Sequence, residues 1–332
     1  MVSSLINGNI SSDGTSGTIG TNGTNGHSAA SEYVKPSTKL RQLLAQPGCV
    51  PAPGVYDGIS ARLALEAGFP CLYQSGAATT ASRLGLPDLG FAGLTDFVTN
   101  GSMIASIDPT VPLIADADTG FGGANAIAQT IKRYDRAGIA GLHIEDQIQT
   151  KRCGHLAGKV LVPMETFETR IRAAAAARKE VPGGSDIVII ARTDALQSFG
   201  LEESIKRLIA ARDQGADVGF LEGIDSREDI EHTVKSIAPM PLLINLIPNG
   251  TTPHYSLEEV AGMGVKLAIY PFVTCIPALH AMRDSLALLR KTGRDDTQSR
   301  GMQPRQFFDV MGLQHEMAVD RAVGGDAFVV DA

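Results

Sequence analysis

Eight short apolar segments, each followed by a stretch with helical periodicity, constrain the fold of this chain more than any other feature. The apolar segments span residues 49–55, 70–75, 112–118, 141–145, 187–193, 218–222, 242–246 and 266–270. Helical patterns between them include 58–67, 124–137, 163–178, 201–214 and 257–263. A strand–helix unit repeated in this way predicts a parallel sheet, either closed into a (β/α)8 barrel or open and doubly wound.

Polar residues near the ends of the predicted strands favour the closed barrel. They are Ser75, Asp116, Asp118, His143, Glu145, Arg192, Asp194, Glu222 and Asn245. Barrel enzymes build their active sites at the carboxyl ends of the strands, with residues from several strands. An open sheet would not normally have functional residues at so many strand ends. The sequence therefore predicts an α/β fold of the TIM-barrel type.

The chain is longer than a barrel requires. It has 332 residues, whereas such a barrel typically takes about 250. We assign the barrel to residues 37–290, and a linker with an extra C-terminal helical arm to residues 291–332, where 303–322 is amphipathic. Residues 1–36 are rich in Ser, Gly, Thr and Asn and are predicted to be a disordered tail.

Charge and cysteine content exclude several classes of function. The formal charge is −7 and no block of Lys and Arg occurs, so nucleic acid is not an expected partner. The four cysteines are scattered without a CxxC pair, which favours reduced thiols in the cytoplasm over disulfides or zinc. No apolar run reaches the roughly 18 residues of a membrane span.

The segment from Ala115 to Gly123, ADADTGFGG, is the strongest local signal for chemistry. Residues two apart on a strand point the same way, so Asp116 and Asp118 are predicted to face one space. Paired carboxylates suit Mg²⁺ or Mn²⁺. His143 and Glu145 repeat the spacing on the next strand and add a carboxylate. The alternatives are a helix-capping turn at the Asp pair and a buried His beside an ion-paired Glu.

Cys153 lies among the basic residues Lys151, Arg152 and His155. An electropositive setting lowers a thiol pKa, and such a thiol can act as a general acid or base. The surrounding loop, 147–159, is long enough to close over a site and exclude water. The alternative is a charged surface loop with an incidental cysteine.

Two weaker signals concern anion binding. Backbone amides and a hydroxyl at residues 75–78 could hold a carboxylate, although a plain strand–helix turn is the favoured interpretation of these residues alone. Arg192 suits bidentate carboxylate binding and Asn245 is a second polar residue on an apolar strand. An internal ion pair of Arg192 with Asp194 or Glu222 remains the alternative.

Together these residues resemble the isocitrate lyase/phosphoenolpyruvate mutase superfamily over residues 37–325. The motifs are SGAATTASRLGLPDLG from Ser75, ADADTGFGG from Ala115, GLHIEDQ from Gly141, KRCGH from Lys151 and ARTDAL from Ala191. The KRCGH motif resembles the lyase branch and disfavours phosphorus–carbon chemistry. The LAGK that follows is similar to fungal and plant members of the 2,3-dimethylmalate lyase and oxaloacetate acetylhydrolase type.

The resemblance implies roles for individual residues. Asp116 would bind the metal directly, while Asp88, Asp118 and Glu145 would hold its water shell. The substrate would be bound by Ser75, Gly76, Ala77, Gly154, Arg192, Glu222, Asn245 and Pro271. Cys153 would be the proton donor on a gating loop with Lys151, Arg152 and His155. Tyr73 would complete the pocket, and it shares the candidacy for general base with a water held by Glu145.

The resemblance also implies a Mg²⁺-dependent (or Mn²⁺-dependent) lyase that cleaves a small 2-hydroxy dicarboxylate to a 2-oxo acid and a carboxylate. A substrate of the 2,3-dimethylmalate type is favoured because oxaloacetate hydrolases carry Ser at the position of Pro271. Oxaloacetate hydrolysis to oxalate and acetate, 2-methylisocitrate cleavage and a catalytically inactive barrel remain alternatives. The implied assembly is a homotetramer in which the helical arm is swapped between subunits.

Overall fold

The structure, a computed structural model, describes residues 33–154 and 156–327. Most of the predicted tail, together with His155 and residues 328–332, lies outside the described residues. In the described ranges no helix is long and apolar enough to cross a membrane.

Eight parallel strands form one closed barrel in sequence order. They are β1 (Val50–Val55), β2 (Leu72–Gln74), β3 (Leu113–Asp116), β4 (Gly141–Glu145), β5 (Val188–Thr193), β6 (Val218–Leu221), β7 (Leu242–Asn245) and β8 (Leu267–Tyr270). β8 closes the barrel by pairing with β1, with Val50 opposite Leu267. The predicted barrel is confirmed, and the open sheet is excluded.

The helices pack outside the barrel or extend from it. They are α1 (Pro36–Ala45), α2 (Gly58–Glu66), α3 (Gly76–Leu84), α4 (Leu94–Ile107), α5 (Ala124–Arg136), α6 (Met164–Glu180), α7 (Leu196–Phe199), α8 (Leu201–Asp213), α9 (Arg227–Ser236), α10 (Leu257–Gly262), α11 (Cys275–Thr292), α12 (Pro304–Val310) and α13 (Leu313–Ala322).

The strands are apolar on both faces because each face packs against a separate core. Ile189 and Leu142 belong to the layer between the strands and the helices, whereas Ile190 and Leu243 fill the barrel interior. Leu40 of α1 joins the interior layer and is fully buried. Such continuous burial explains why the strands are uninterrupted apolar runs without alternation.

The C-terminal region differs from the rest of the fold. Helix α11 has no buried residue along its 18 positions, and neither do α12 and α13. The amphipathic segment 303–322 forms two helices because Gly312 between them adopts φ +93, a conformation that favours glycine. The side chains of Met282 and Leu286 are 56% and 66% exposed, so an apolar stripe of α11 faces away from this subunit's core.

Candidate active site

The carboxyl ends of the strands converge on one small cavity of about 30 Å³. Its lining comprises Tyr73, Ser75, Gly76, Ala77, Asp88, Asp116, Cys153, Gly154, Arg192, Glu222, Asn245, Ile247, Ile269, Pro271 and Phe272. All the substrate-binding residues expected from the sequence are in this set. The loop residues Cys153 and Gly154 are included, so the loop is closed over the strand ends.

Asp116 and Asp118 do not lie on one strand as the spacing predicted. β3 ends at Asp116, and Asp118 has φ +45 in the turn that follows. The backbone N–H of Asp118 donates to Asp116 Oδ1 at 2.8 Å, which forms an Asx-type turn. This turn does not cap the next helix, because the N-cap of α5 is Gly123 and no side chain caps it. The strand-based geometry was therefore wrong, although both carboxylates are buried at the same end of the barrel.

A buried lysine joins the carboxylates. Lys151 Nζ lies 2.5 Å from Asp118 Oδ1 and also forms an ion pair with Asp88. Burial raises the pKa of Asp118 to about 7, with the attraction of Lys151 opposing the shift and the charges of Asp116 and Asp88 adding to it. Burial also raises the pKa of Glu145 well above its usual value. Burial, more than repulsion between the acids, is therefore the main cause of both shifts.

Asp116 differs from Asp118 and Glu145 because its ionised form is favoured. Burial opposes its ionisation, but the nearby His143, Lys151 and Arg192 hold its pKa below the usual value. Its Oδ2 lies so close to the backbone of Gly76 that a Cβ added to Gly76 would be only 2.1 Å from this oxygen. Only glycine fits at position 76, and the start of α3 therefore lies directly against this carboxylate.

These groups fit a hydrated divalent cation better than a fully dehydrated one. Within the described ranges no three His, Cys, Asp or Glu side chains are arranged to hold a metal ion directly. The buried Glu145 Oε1 has no hydrogen-bond partner, and the acidic groups are hard oxygen donors. Mg²⁺ characteristically keeps several waters and takes one or two carboxylates, which this cluster can provide.

The Tyr73 hydroxyl is held in place by a buried histidine. It lies 2.9 Å from His143 Nε2, and the two rings stack with centroids 5.8 Å apart. His143 Nδ1 lies 3.6 Å from Asp116 Oδ1. Burial lowers the pKa of His143 and raises that of Tyr73 well above its usual value. His143 was noted in the sequence but was not assigned a role; its contact with Tyr73 could not be predicted from local spacing.

Arg192 is held by three acidic residues. Its Nε and one terminal nitrogen donate to Asp194 at 2.9 and 3.0 Å. The guanidinium also lies 3.3 Å from Glu145 and 3.4 Å from Glu222. The ion pairs considered as an alternative are thus present, while Arg192 still lines the cavity. Asn245 Nδ2 lies 3.2 Å from Glu222 Oε2, so the amide and the guanidinium share one carboxylate.

The amino end of α3 supplies anion-binding groups. Ser75 caps the helix, and its hydroxyl accepts from the Ala78 N–H at 3.3 Å. Gly76 and Ala77 form the first turn and line the cavity. Unpaired N–H groups and the helix dipole at such an end favour a carboxylate.

Loop residues divide into two groups. The backbone N–H of Cys153 donates to the Asp88 carbonyl at 3.1 Å, and this contact holds the thiol-bearing residue at the cavity. Arg152, by contrast, is exposed and donates to the Ala157 carbonyl. The Gln147 side chain fixes the backbone of Arg152, accepting from its N–H at 3.0 Å and donating to its carbonyl at 2.8 Å. Arg152, which was expected to be catalytic, therefore does not line the cavity.

Comparison with known proteins gives consistent relatives. The phosphoenolpyruvate phosphomutase family model matches residues 40–290. A structure of 2,3-dimethylmalate lyase is 51% identical with a TM-score of 0.87, over 90% of this chain and 100% of that one. A structure of oxaloacetate acetylhydrolase with 3,3-difluorooxalacetate is also 51% identical, with a TM-score of 0.85 over 89% and 99% of the two chains. The 2,3-dimethylmalate lyase of Eubacterium barkeri is 35% identical over 84% of this chain and 94% of its own.

One more distant structure bears on the metal. A phosphonopyruvate hydrolase with oxalate and Mg²⁺ is 27% identical, with a TM-score of 0.76 over 87% of this chain and 99% of that one. Mg²⁺ is thus bound in one structure that is similar to this chain. The predictions of an enzyme and of its family are both confirmed: this chain belongs to the isocitrate lyase/phosphoenolpyruvate mutase superfamily.

Proposed function

We propose that this chain is a lyase, dependent on Mg²⁺ or Mn²⁺, that cleaves a 2-hydroxy dicarboxylate of the 2,3-dimethylmalate type. The observation that carries the proposal is a cavity that combines an acidic cluster, anion-binding groups and Cys153. Ile247, Ile269, Pro271 and Phe272 add an apolar side to this cavity. Such a side suits the methyl groups of the substrate better than the hydrated carbonyl of oxaloacetate.

Asp116 would hold the cation directly, and Asp88, Asp118 and Glu145 would hold its waters. A bound cation supplies Lewis acidity, which lowers the pKa of a coordinated hydroxyl group. Arg192, Asn245 and the first turn of α3 would bind the two carboxylates of the substrate, so that the bond to be broken faces the loop.

The reaction begins with removal of the proton from the C2 hydroxyl. Tyr73 and a water held by Glu145 are the two candidate bases. Because burial raises the pKa of Tyr73, this phenol would pass its own proton to His143 Nε2 as it takes that of the substrate. The C2–C3 bond then breaks, its electron pair passes to C3, and C2 becomes the carbonyl of a 2-oxo acid. Cys153 gives a proton to C3 of the resulting enediolate. From 2,3-dimethylmalate the products are pyruvate and propionate.

A product assay tests this proposal. Purified protein with Mg²⁺ is incubated separately with 2,3-dimethylmalate, 2-methylisocitrate and oxaloacetate, and pyruvate is followed by its reduction with lactate dehydrogenase. We expect the fastest pyruvate formation from 2,3-dimethylmalate. Oxalate and acetate from oxaloacetate, without pyruvate from either hydroxy acid, would overturn the proposal. If none of the three acids is turned over, with or without Mg²⁺, an inactive barrel with a structural or regulatory role would be favoured.

Oxaloacetate acetylhydrolase is the second candidate, since a solved structure of that enzyme is as similar in sequence as the lyase. Pro271 discriminates between them because its ring carries no hydroxyl and its nitrogen no hydrogen. If water attack on oxaloacetate needs a hydroxyl here, Pro271→Ser should raise oxalate formation at least several-fold while lowering lyase turnover. An unchanged ratio of the two activities would show that position 271 does not decide the reaction.

The remaining assignments are also proposals. We infer a homotetramer in which α12 and α13 are swapped between subunits, because α11 to α13 have no buried residue in the single chain. A cytoplasmic location is proposed from the four scattered cysteines, which favour reduced thiols. Residues 1–36 are proposed to be a dispensable tail, 37–290 the catalytic barrel and 291–332 the linker and arm. His155 is retained as a proposed member of the gating loop on the resemblance alone.

A further inference from the structure

Lys159 connects the gating loop to the barrel in a way that neither the motif nor the proposed reaction explains. Its ammonium donates to the Gly154 carbonyl at 2.7 Å and to Asp194 Oδ1 at 2.9 Å. The side chain of Lys159 is only 3% exposed. A buried ammonium needs such partners, because burial of an unpaired charge is costly.

The two partners of Lys159 belong to different parts of the site. Gly154 follows Cys153 and lies so close to Arg192 and Glu222 that a Cβ on it would come within 2.4 Å of the Arg192 guanidinium. Asp194 follows β5 and accepts two hydrogen bonds from that same guanidinium. Lys159 therefore bridges the loop tip to the carboxylate that orients Arg192.

Asp194 is itself rigidly supported. Its backbone N–H donates to Asp146 Oδ1 at 2.9 Å, and Asp146 also accepts from Thr193 Oγ1 at 2.6 Å and from Arg207 at 3.1 Å. The base of the loop is held by a hydrogen bond from the Ile148 N–H to the Val160 carbonyl. Lys159 thus reaches from a fixed base to the loop tip, and opening of the tip would break its bond to Gly154.

We propose that Lys159 is a positioning residue that couples closure of the loop to the orientation of Arg192. The inference rests on the proposed function only in assigning the proton to Cys153 and a substrate carboxylate to Arg192. In the closed loop the ammonium joins Gly154 to Asp194, so Cys153 and Arg192 are brought into their working positions together. Without the ammonium the loop would close less often, and Asp194 would hold Arg192 without a link to the loop tip.

The test measures loop opening and does not depend on turnover of a substrate. Trypsin cleaves after Arg152, and iodoacetamide alkylates Cys153. The Arg152 side chain is exposed, but its backbone is bound to the Gln147 side chain, and a protease must extend several residues around the bond it cuts. Cys153 lies in the cavity wall, so both reactions are expected to speed up when the loop tip leaves the barrel. Lys159→Met keeps the aliphatic stem and removes the ammonium. We expect both rates to rise roughly 10- to 100-fold, the range given by the loss of a hydrogen bond to a charged group. Cleavage after Arg152 is quantified by mass spectrometry, since the substitution removes one tryptic site.

Lys132→Met is the matched control, because Lys132 forms its ion pair with Glu180 elsewhere on the surface. It should leave both rates unchanged. With an active wild type, Lys159→Met should also lower kcat at least tenfold, which a merely stabilising contact would not do far below the melting temperature. If Lys159→Met fails to fold, Lys159→Gln, which keeps a neutral donor, should show the same increases.

Wild-type rates of cleavage and alkylation in the folded variant would overturn the role of Lys159, whatever the substrate proves to be. Raised rates in a protein that turns over none of the tested acids would support the coupling and reject the proposed reaction. Lyase activity in the wild type, together with unchanged cleavage and alkylation rates in the variant, would support the proposed reaction and reject the coupling by Lys159.

Discussion

The thiol groups of this chain differ sharply in their surroundings. Burial raises the pKa of Cys49 and of Cys71 to about 12, and it also raises that of Cys275. These three thiols stay protonated near neutral pH, whereas nucleophilic reaction requires a thiolate. Cys153 lies in the cavity wall. We therefore expect iodoacetamide to label Cys153 first among the four cysteines.

Replacement of Cys153 tests the proton-donor role. Cys153→Ala and Cys153→Ser should each lower kcat roughly 10²- to 10⁴-fold, which is the usual contribution of a general acid. KM should change little, because the thiol acts in the transition state. Steady-state kinetics with Cys275→Ser as control provide the measurement. Near-normal turnover by Cys153→Ser would exclude the role and point to another acid.

Metal removal tests the acidic cluster. EDTA should abolish turnover, and Mg²⁺ or Mn²⁺ should restore it. Asp116→Ala should be more damaging than Asp118→Ala if only Asp116 touches the ion, since Asp118 already forms an ion pair with Lys151. Isothermal titration with Mg²⁺ gives the affinities directly. Full activity in a metal-stripped sample would contradict the assignment.

At the level of elements, the strands could be predicted because they are continuous apolar runs, and every predicted segment contains one. Helix α3 is harder to predict from the sequence, because GAATTASRL contains Gly, Ser and two β-branched Thr residues, which are weak helix formers. The predicted third strand, 112–118, is longer than β3, which ends at Asp116. The period-2 spacing of Asp116 and Asp118 continues into a turn in which Asp118 has φ +45.

The candidate site shows the same limit. Residues on strand ends were found because topology alone brings them together. Asp88 lies on the connection after α3, and its ion pair with Lys151 joins positions 63 apart. Only the family resemblance indicated Asp88. No sequence pattern around Lys159 indicated its proposed role, because that role depends on Gly154 and Asp194 lying close together in the folded barrel.

Helix α1 defines how far the N-terminus can be shortened. Leu40 is fully buried in the barrel interior, and Arg41 forms two 3.0 Å hydrogen bonds to Asp217. A protein starting at Lys35 should keep its kinetics and melting temperature. One starting at residue 47 should be destabilised by more than about 2 kcal/mol, because burial of Leu40 alone contributes about that much. Thermal unfolding of both proteins is the measurement, and equal stability would show that α1 is not part of the core.

At the scale of the whole molecule, one large apolar surface is left uncovered by residues 33–154 and 156–327. Ile276, Leu279, Met282, Leu286 and Leu289 recur on one side of α11 and are all at least 42% exposed. Soluble monomers rarely expose a contiguous apolar stripe of this kind. The C-terminal helices add Phe307, Phe308 and Val319 to the exposed apolar residues. Closed symmetric assemblies commonly bury such surfaces.

The last prediction follows from this stripe. Leu286→Asp should dissociate the proposed tetramer, because it would bury an unpaired charge at the centre of the interface. Asp284 lies on the opposite side of α11, so Asp284→Arg is the matched control and should leave the assembly intact. Sedimentation velocity at several concentrations distinguishes monomer, dimer and tetramer. If the wild type sediments as a monomer at micromolar concentration, the stripe is not an interface between copies of this chain, and the swapped arm must be abandoned with it.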